Sequence, residues 1–312
     1  MNKMYDTPIK IGTYKDEYRT SKTIKNYLEP LQQIINQAFK MRLLKNKDWI
    51  KDNLQIDTKK VKGISKKTLP FDEKDLPIIF EALAKIHKHD FGFIQKAINS
   101  NSFKSKKASL ERIIKNPEAL FYAVLIAFFT GSRATASITI QHKNIDLKQQ
   151  TITIDFDDED NEEAKKINDH KKLKGSIRTV PMAKTLIDMG LIEYLQEHIK
   201  KHNETTPIFY EAIKTANNYR EKYISESFNA LLTILNIKPD KKSYTKKHYH
   251  SIKKCFYTYN RRNNDIHDLK VIAGNKVTTG EIVNDHYIIP TEEQLKEAIQ
   301  KLTYPGIEYL YK

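Results

Sequence analysis

Length, composition and charge exclude several classes of protein. The 312 residues are 39% hydrophobic, enough to bury a core, and the 9 glycines and 10 prolines are too few for a collagen-like or linker-rich chain. A formal net charge of +15 favours a polyanionic partner, either nucleic acid or an anionic membrane surface. Nucleic acid is the leading interpretation, because the sequence shows no apolar run of membrane-spanning length and no basic amphipathic helix with a bulky apolar face. The single cysteine, Cys255, fits a reducing cytosol, so we expect a cytoplasmic protein associated with DNA.

The first 67 residues are predicted to form a small helical domain that binds DNA. Between Thr23 and Leu44, apolar residues recur at helical spacing. Pro30 lies in this run, so the helix either kinks there or begins there. The lysine-rich segment 45–67 ends the domain, and residues 68–312 form a second domain with a C-terminal tail at 303–312.

The second domain is predicted to contain one fully buried helix. The segment Ala119 to Phe129 is apolar almost all round, which is typical of a core helix. It ends at the turn Thr130-Gly131-Ser132-Arg133, which would hold Arg133 at the edge of the core. Taken alone, Arg133 is more simply a structural arginine that caps the helix end.

A β-ribbon is predicted next. Residues 149–155 alternate like a strand, and 177–180 look like its antiparallel partner. The acidic run 157–163 between them lacks the glycine and the spacing of a calcium loop, so we interpret it as a solvated insertion and expect no metal site. The lysines at 171–174 are of more interest, because a two-stranded ribbon can enter a DNA groove.

The stretch 246–257 carries the main candidate side chains. At helical spacing, Tyr249, Ile252, Phe256 and Tyr259 form an apolar stripe, and His250, Lys253 and Tyr257 form a second stripe beside it. A histidine and a cation one turn apart can direct two donors at one anion. By itself, the stretch is more simply a surface helix whose tyrosines pack against the core.

The C-terminal region adds a short helical segment, a glycine turn and a last helix. The segment 269–273 ends at Gly274, and Thr291 with Gln294 forms a capping-box pattern. The tail that follows is too aromatic for a free end, so we expect it to dock either on its own domain or on a neighbouring protomer.

The order of these features resembles the tyrosine recombinases of the phage-integrase family, of which the chain would be a divergent member. The likeness covers roughly Leu69 to the C-terminus, and the helix around 26–31 looks like the end of that family's core-binding domain, shortened at its front. The resemblance implies a mainly α fold with a small antiparallel β-sheet or hairpin. This would be a tyrosine-recombinase catalytic domain plus a small helical, SAM-like segment.

The resemblance also implies catalytic roles. Arg133 would clamp the scissile phosphate, which suits a planar guanidinium that is always charged. Lys172 would be the general acid toward the 5′-oxygen leaving group, with Lys174 as the fallback. Tyr287, in Asp285-His286-Tyr287, would be the nucleophile that forms a 3′-phosphotyrosyl link.

Three further matches complete the implied site. His250 and Lys253 match the family's H-x-x-R pair, and Asn275 occupies the place commonly held by histidine after a glycine. We expect neither metal nor ATP, because fixed cations can stabilise the transferring phosphoryl group and the covalent link conserves the energy of the broken bond. Additional DNA contacts are expected from other basic residues, namely Lys174, Arg178, Lys246, Lys247 and Lys254.

The resulting hypothesis is a site-specific recombinase or integrase of a mobile genetic element. It would act as a homo-tetramer on double-stranded DNA recombination sites, with the C-terminal tail packing in trans. One alternative is the same chemistry in a hairpin telomere resolvase or a type IB topoisomerase-like enzyme. A second is a catalytically decayed DNA-binding protein, since Lys253, Lys254, Asn275 and Ala136 depart from the family's pattern.

Overall fold

A computed structural model of the chain describes residues 9–11, 14–17, 21–44, 67–154, 177–214, 222–237, 245–275 and 290–312. The chain is mainly helical with a small antiparallel sheet, which confirms the predicted fold class at that level. It divides into two compact units, one of residues 1–67 with 240–245, and the other of residues 68–239 with 246–312.

The first unit contains one long helix and a small hairpin. Strands β1 (Ile9–Ile11) and β2 (Tyr14–Glu17) pair antiparallel, and helix α1 spans Ser21–Lys40. Of the two predicted alternatives for Pro30, a helix that begins there is wrong, because α1 begins nine residues earlier and contains the proline. The predicted lysine-rich segment lies outside the described residues from position 45 to 66.

The second unit carries the remaining described elements, except that Lys67 and Thr245, at the boundary, belong to the first. Two short strands are β3 (Lys67–Thr68) and β7 (Thr245–Lys246), and the Leu69 N–H donates to the Lys246 carbonyl at 3.0 Å. Short 3₁₀ helices span Asn101–Lys106, His142–Asn144 and Ile307–Tyr311. The α-helices are α2 (Asp75–His87), α3 (Gly92–Ile98), α4 (Lys107–Lys115), α5 (Pro117–Thr130), α6 (Ala134–Ile138), α7 (Lys184–Asp188), α8 (Leu191–Ile199), α9 (Tyr210–Ile213), α10 (Lys222–Ile234), α11 (Ser251–Asn260), α12 (Ile266–Ile272) and α13 (Glu292–Gln300).

Helix α5 is the centre of the core, as its composition predicted. Every residue of α5 except Glu118 is buried, and α2, α4, α10 and α11 pack around it. A helix that is apolar on all sides is stable only inside such a shell. Within the described ranges, no single helix is long and apolar enough to cross a membrane. The segments Asn101–Lys115 and Pro117–Thr130 reach that length and apolarity only when counted together, and a 94° bend separates them. The second of these segments is the core helix α5.

The predicted ribbon is part of a three-stranded antiparallel sheet. Its strands are β4 (Ile145–Asp146), β5 (Thr151–Ile154) and β6 (Arg178–Pro181), in the order β4-β5-β6. The register pairs Ile152 with Val180 and Ile154 with Arg178. The pairing of β5 with β6 is therefore confirmed, while the acidic run and the lysines 171–174 lie outside the described residues.

The C-terminal tail packs on its own unit. Tyr304 and Leu310 are buried, and the Tyr304 hydroxyl donates to the Phe128 carbonyl of α5. The chain turns at Gly306 so closely that an added Cβ would lie 2.4 Å from the Pro77 Cα of α2. The own-domain alternative is thus the one observed in this single chain, and packing in trans on a neighbouring protomer stays a prediction.

Candidate active site

The turn after α5 brings Arg133 to the surface beside two other elements. Gly131 closes α5 with φ 57°, and an added Cβ would lie 2.7 Å from the Phe256 ring of α11 and 3.0 Å from Cβ of Ala273. Only glycine allows this approach, because it has no Cβ and tolerates positive φ. Ser132 is buried in the turn, and the following Arg133 is exposed.

Arg178 lies under this turn rather than on the surface. The residue is only 9% exposed. Its Nε donates to the Ile272 carbonyl at 2.6 Å, and its Nη2 donates to Ser132 Oγ at 2.9 Å. Arg178 is therefore not a surface cation, and its contact with DNA stays a prediction. Strand alternation explains the difference, since it places Arg178 on the same buried face as Val180.

The Ala273-Gly274-Asn275 segment is shaped by that guanidinium. Gly274 has φ 62°, and an added Cβ would lie 2.3 Å from Arg178 Nη1 and 2.7 Å from its Cζ. Glycine is needed twice over, for the left-handed backbone and for the close approach. This backbone turn directs Asn275 toward helix α11.

Lys253, Asn275 and Tyr257 form a connected set of hydrogen bonds. The Lys253 ammonium donates to the Ala273 carbonyl at 3.2 Å and to Asn275 Oδ1 at 3.1 Å. Asn275 Nδ2 donates to the Tyr257 hydroxyl oxygen at 2.5 Å. Tyr257 was not among the site residues predicted from the sequence, although it lies on the stripe of His250 and Lys253. Its i, i+4 spacing from Lys253 was the available signal.

His250 stands at the beginning of α11 instead of within it. The predicted helix through 246–250 is wrong at this end, because the His248 N–H bonds to Ser251 Oγ and the Ser251 N–H bonds to the His248 carbonyl, which makes a turn before the helix. The predicted apolar stripe holds at Tyr249, Ile252 and Phe256, which are all buried. His250 therefore remains exposed, at the N-cap, three residues before Lys253.

Several cations lie close together in the site, and their mutual repulsion contributes to lowered pKa values. Burial, followed by the charges of Arg133 and Arg178, lowers the pKa of Lys253 to about 8. Burial, opposed by Tyr257 and reinforced by the charge of Arg133, lowers the pKa of Arg178 to about 10. Partial desolvation of the ring, followed by the charges of Lys253 and Arg133, lowers the pKa of His250. In the part of the chain that the structure describes, no carboxylate pairs with Lys253 or Arg178, so an anion would relieve their repulsion.

The other predicted DNA contacts divide into two kinds. Lys246 and Lys254 are exposed, as a phosphate contact requires. Lys247 is not, because its side chain is 8% exposed and its ammonium lies 2.6 Å from both Asp72 and Asp75. Two carboxylates, Asp72 just before α2 and Asp75 at its start, already neutralise Lys247, and its contact with DNA stays a prediction.

The structure thus brings together Arg133, His250, Lys253 and Asn275, and it adds Arg178 and Tyr257. The remaining predicted residues, Lys172, Lys174 and Tyr287, lie outside the described residues. Among the residues that are described, no group of three or more His, Cys, Asp or Glu side chains could hold a metal ion. The sequence matches no protein-family model and no curated protein.

Proposed function

We propose that this chain is a site-specific DNA recombinase of the tyrosine-recombinase type. It cleaves and rejoins DNA strands through a covalent 3′-phosphotyrosyl intermediate, without metal or ATP. The observation that carries the proposal is the group of Arg133, Arg178, Lys253 and His250, in which the buried Arg178 and the half-buried Lys253 have no acidic partner among the described residues.

The physical argument starts from the cost of burying like charges. A buried cation without a counter-ion is unfavourable, so such a group persists where an anionic ligand supplies the missing charge. A phosphodiester fits, because it offers non-bridging oxygens to a guanidinium and an ammonium at once. Donors fixed before the ligand arrives stabilise the charge that develops during phosphoryl transfer.

The proposed mechanism uses the site residues in the roles that the resemblance gives them. The Tyr287 hydroxyl loses its proton to solvent as its oxygen attacks phosphorus and forms the new P–O bond. The bond to the 5′-oxygen breaks, Lys172 transfers a proton to that oxygen, and solvent then reprotonates Lys172. Arg133, His250 and Lys253 hold the non-bridging oxygens. Rejoining is the reverse, with a 5′-hydroxyl as the attacking group. The proposed assembly is a homo-tetramer on two double-stranded DNA recombination sites, and the proposed location is the cytoplasm.

A second candidate is a DNA-binding protein that retains the cationic site without cleavage. The hydrogen bond from Lys253 to Asn275 favours this candidate. An ammonium that already donates two hydrogens within the protein has fewer hydrogens left for a phosphate than an arginine guanidinium has. Such a protein would bind DNA with a steep salt dependence and form no covalent adduct.

Covalent trapping on DNA tests the proposal. The protein, its Tyr287→Phe variant and a Tyr259→Phe control are each mixed with nicked duplexes taken from the DNA that flanks the gene, and the products are separated on a denaturing gel. We expect a protease-sensitive adduct with the parent and with Tyr259→Phe, and none with Tyr287→Phe. Closed hairpins on the same gel would instead identify a telomere resolvase. Bound DNA without adduct in all three proteins would reject cleavage and support the DNA-binding alternative.

A further inference from the structure

The hydroxyl of Tyr257 is held in an unusual orientation. An ammonium has only donors, so the atom of Asn275 that faces Lys253 must be the amide oxygen. The amide nitrogen therefore faces Tyr257, and it donates to the hydroxyl oxygen. Because that oxygen accepts, the hydroxyl hydrogen of Tyr257 is directed elsewhere.

That hydrogen has no acceptor among the described residues. Within the described ranges, the one hydrogen bond of the Tyr257 side chain is the one received from Asn275. Other tyrosines of the same unit behave differently, since each donates its hydroxyl to a backbone carbonyl: Tyr122 to Met189, Tyr194 to Ile208, Tyr249 to Ala123, Tyr259 to Phe71 and Tyr304 to Phe128. The hydroxyl is half-buried, so its hydrogen is accessible to a ligand that can accept from it.

The neighbouring cations identify the ligand's charge. Two of the three ammonium hydrogens of Lys253 go to Ala273 and Asn275, so one remains for a ligand. Arg178 is near enough for its charge to act on both Lys253 and Tyr257. An oxyanion fits this place, because it can accept both the hydroxyl hydrogen and the ammonium hydrogen beside the buried positive charge of Arg178.

We propose that Tyr257 donates its hydroxyl hydrogen to an oxyanion that Lys253 binds beside Arg178, and that Asn275 is the positioning residue that turns the hydroxyl toward it. That the natural oxyanion is a DNA phosphate rests on the proposed function; the donor role of Tyr257 does not. Burial raises the pKa of Tyr257 to about 12, so the hydroxyl stays protonated and able to donate at neutral pH. The same feature argues against Tyr257 as a nucleophile.

Sulfate is the probe, because it is a tetrahedral oxyanion that does not titrate near neutrality. Its dissociation constant is measured by calorimetry at constant ionic strength, with chloride balancing the added sulfate so that general screening does not change. The proteins are the parent, Tyr257→Phe, and the control Tyr259→Phe, which removes a hydroxyl on the same helix that donates to Phe71. Lys253→Met serves as the variant that lacks the proposed site.

We expect Tyr257→Phe to weaken sulfate binding about 10-fold, the usual effect of losing one hydrogen bond to a charged group. Tyr259→Phe should lower thermal stability and leave sulfate affinity unchanged. Equal affinity in the parent and Tyr257→Phe would overturn the proposal, and so would an affinity in the parent no higher than in Lys253→Met.

A second measurement on the parent alone does not depend on how the variants fold. The side-chain amide resonances of Asn275 report on the hydroxyl that it contacts, so sulfate that accepts from Tyr257 should shift them with the same dissociation constant. Resonances that stay fixed at saturating sulfate would overturn the proposal. Because neither measurement uses DNA, loss of sulfate binding in Tyr257→Phe with no adduct on DNA would reject the proposed function and keep this inference.

Discussion

The guanidinium of Arg178 lies against the backbone of Gly274 so closely that an added Cβ would be 2.3 Å from Nη1. Arg178 is also bonded to Ile272 and Ser132, so one side chain connects strand β6, the turn after α5 and the end of α12. This contact explains why Arg133, Lys253 and Asn275 converge, although they are far apart in sequence.

Replacing Gly274 should therefore disturb both stability and the site. We expect Gly274→Ala to lower the free energy of unfolding by about 2 kcal/mol or more, because it adds left-handed strain and a clash with Arg178. Chemical denaturation measures the loss. Gly92→Ala is the control, since its Cβ would meet only Asp90 Oδ1 at 3.6 Å and its φ is not positive. Equal stability of the two variants would contradict the role assigned to the Arg178 contact.

Anion binding should depend on pH through Lys253. The pKa of Lys253 is lowered to about 8, so the ammonium loses its proton as the pH rises through that value and sulfate affinity should fall. Lys253→Arg should keep a flat profile to about pH 9, because the introduced guanidinium stays protonated there and the pKa of the neighbouring Arg178 is about 10. Calorimetric titrations at pH 6.5 to 9 would show the difference, and a flat profile in the parent would rule out Lys253 as the titrating ligand.

Lys253 should also make the stability of the protein depend on pH, but stability should rise with pH where sulfate affinity falls. The folded pKa of Lys253 lies below its ordinary value of 10.5, so between about pH 8 and 10.5 the unfolded chain binds more protons than the folded chain. Stability of the parent should therefore rise with pH across this window, by up to ~1.4 kcal/mol per pH unit, relative to Lys253→Met. Denaturation midpoints of the two proteins at pH 7.5, 9 and 10 test this, and parallel curves would contradict a lowered pKa.

Substitutions of Lys247 and Lys254 should have opposite effects, one on stability and the other on DNA binding. Lys247→Met should cost about 2 kcal/mol of stability, because it leaves the half-buried Asp75 beside Asp72 without a cation. It should leave the salt dependence of DNA binding unchanged. Lys254→Met should do the reverse, reducing the slope of log affinity against log salt by about 1 for a lost phosphate contact. A reduced slope in Lys247→Met would mean that its ion pairs open on DNA.

The C-terminal tail should stabilise the unit to which it belongs. Ending the chain at Leu302 exposes the surface that Tyr304 and Leu310 cover, and we expect a loss of about 4 kcal/mol from the two buried side chains. The exposed Tyr311 supplies the control, since Tyr311→Phe should have little effect on stability. Thermal unfolding of both proteins provides the measurement. An unchanged midpoint on truncation would contradict the packing in cis.

The elements with a strong local pattern were predictable. Helix α5 was recognised because it is apolar on every side, and α13 because Thr291 and Gln294 form the capping box that the structure confirms. The pairing of β5 with β6 followed from alternation alone. In each case residues close in sequence determine the structure, because capping and periodicity act over one or two turns.

The candidate site was only partly predictable, because it depends on contacts between distant segments. The burial of Arg178 depends on its fit against Gly274 and Ser132, and the neutralisation of Lys247 depends on Asp72 and Asp75, which are more than 170 residues away. Strand alternation places Arg178 on a buried face but does not reveal the partners of its guanidinium. Nothing near Lys247 in the sequence distinguishes it from an exposed lysine.

The sequence by itself determined the mainly helical fold class, the core helix and the order of basic residues along the chain. Only the tertiary structure decided which of those cations are exposed, which are paired, and which face one another. The physical reason is that burial and charge pairing depend on long-range packing, whereas helices and hairpins are specified by neighbours in sequence.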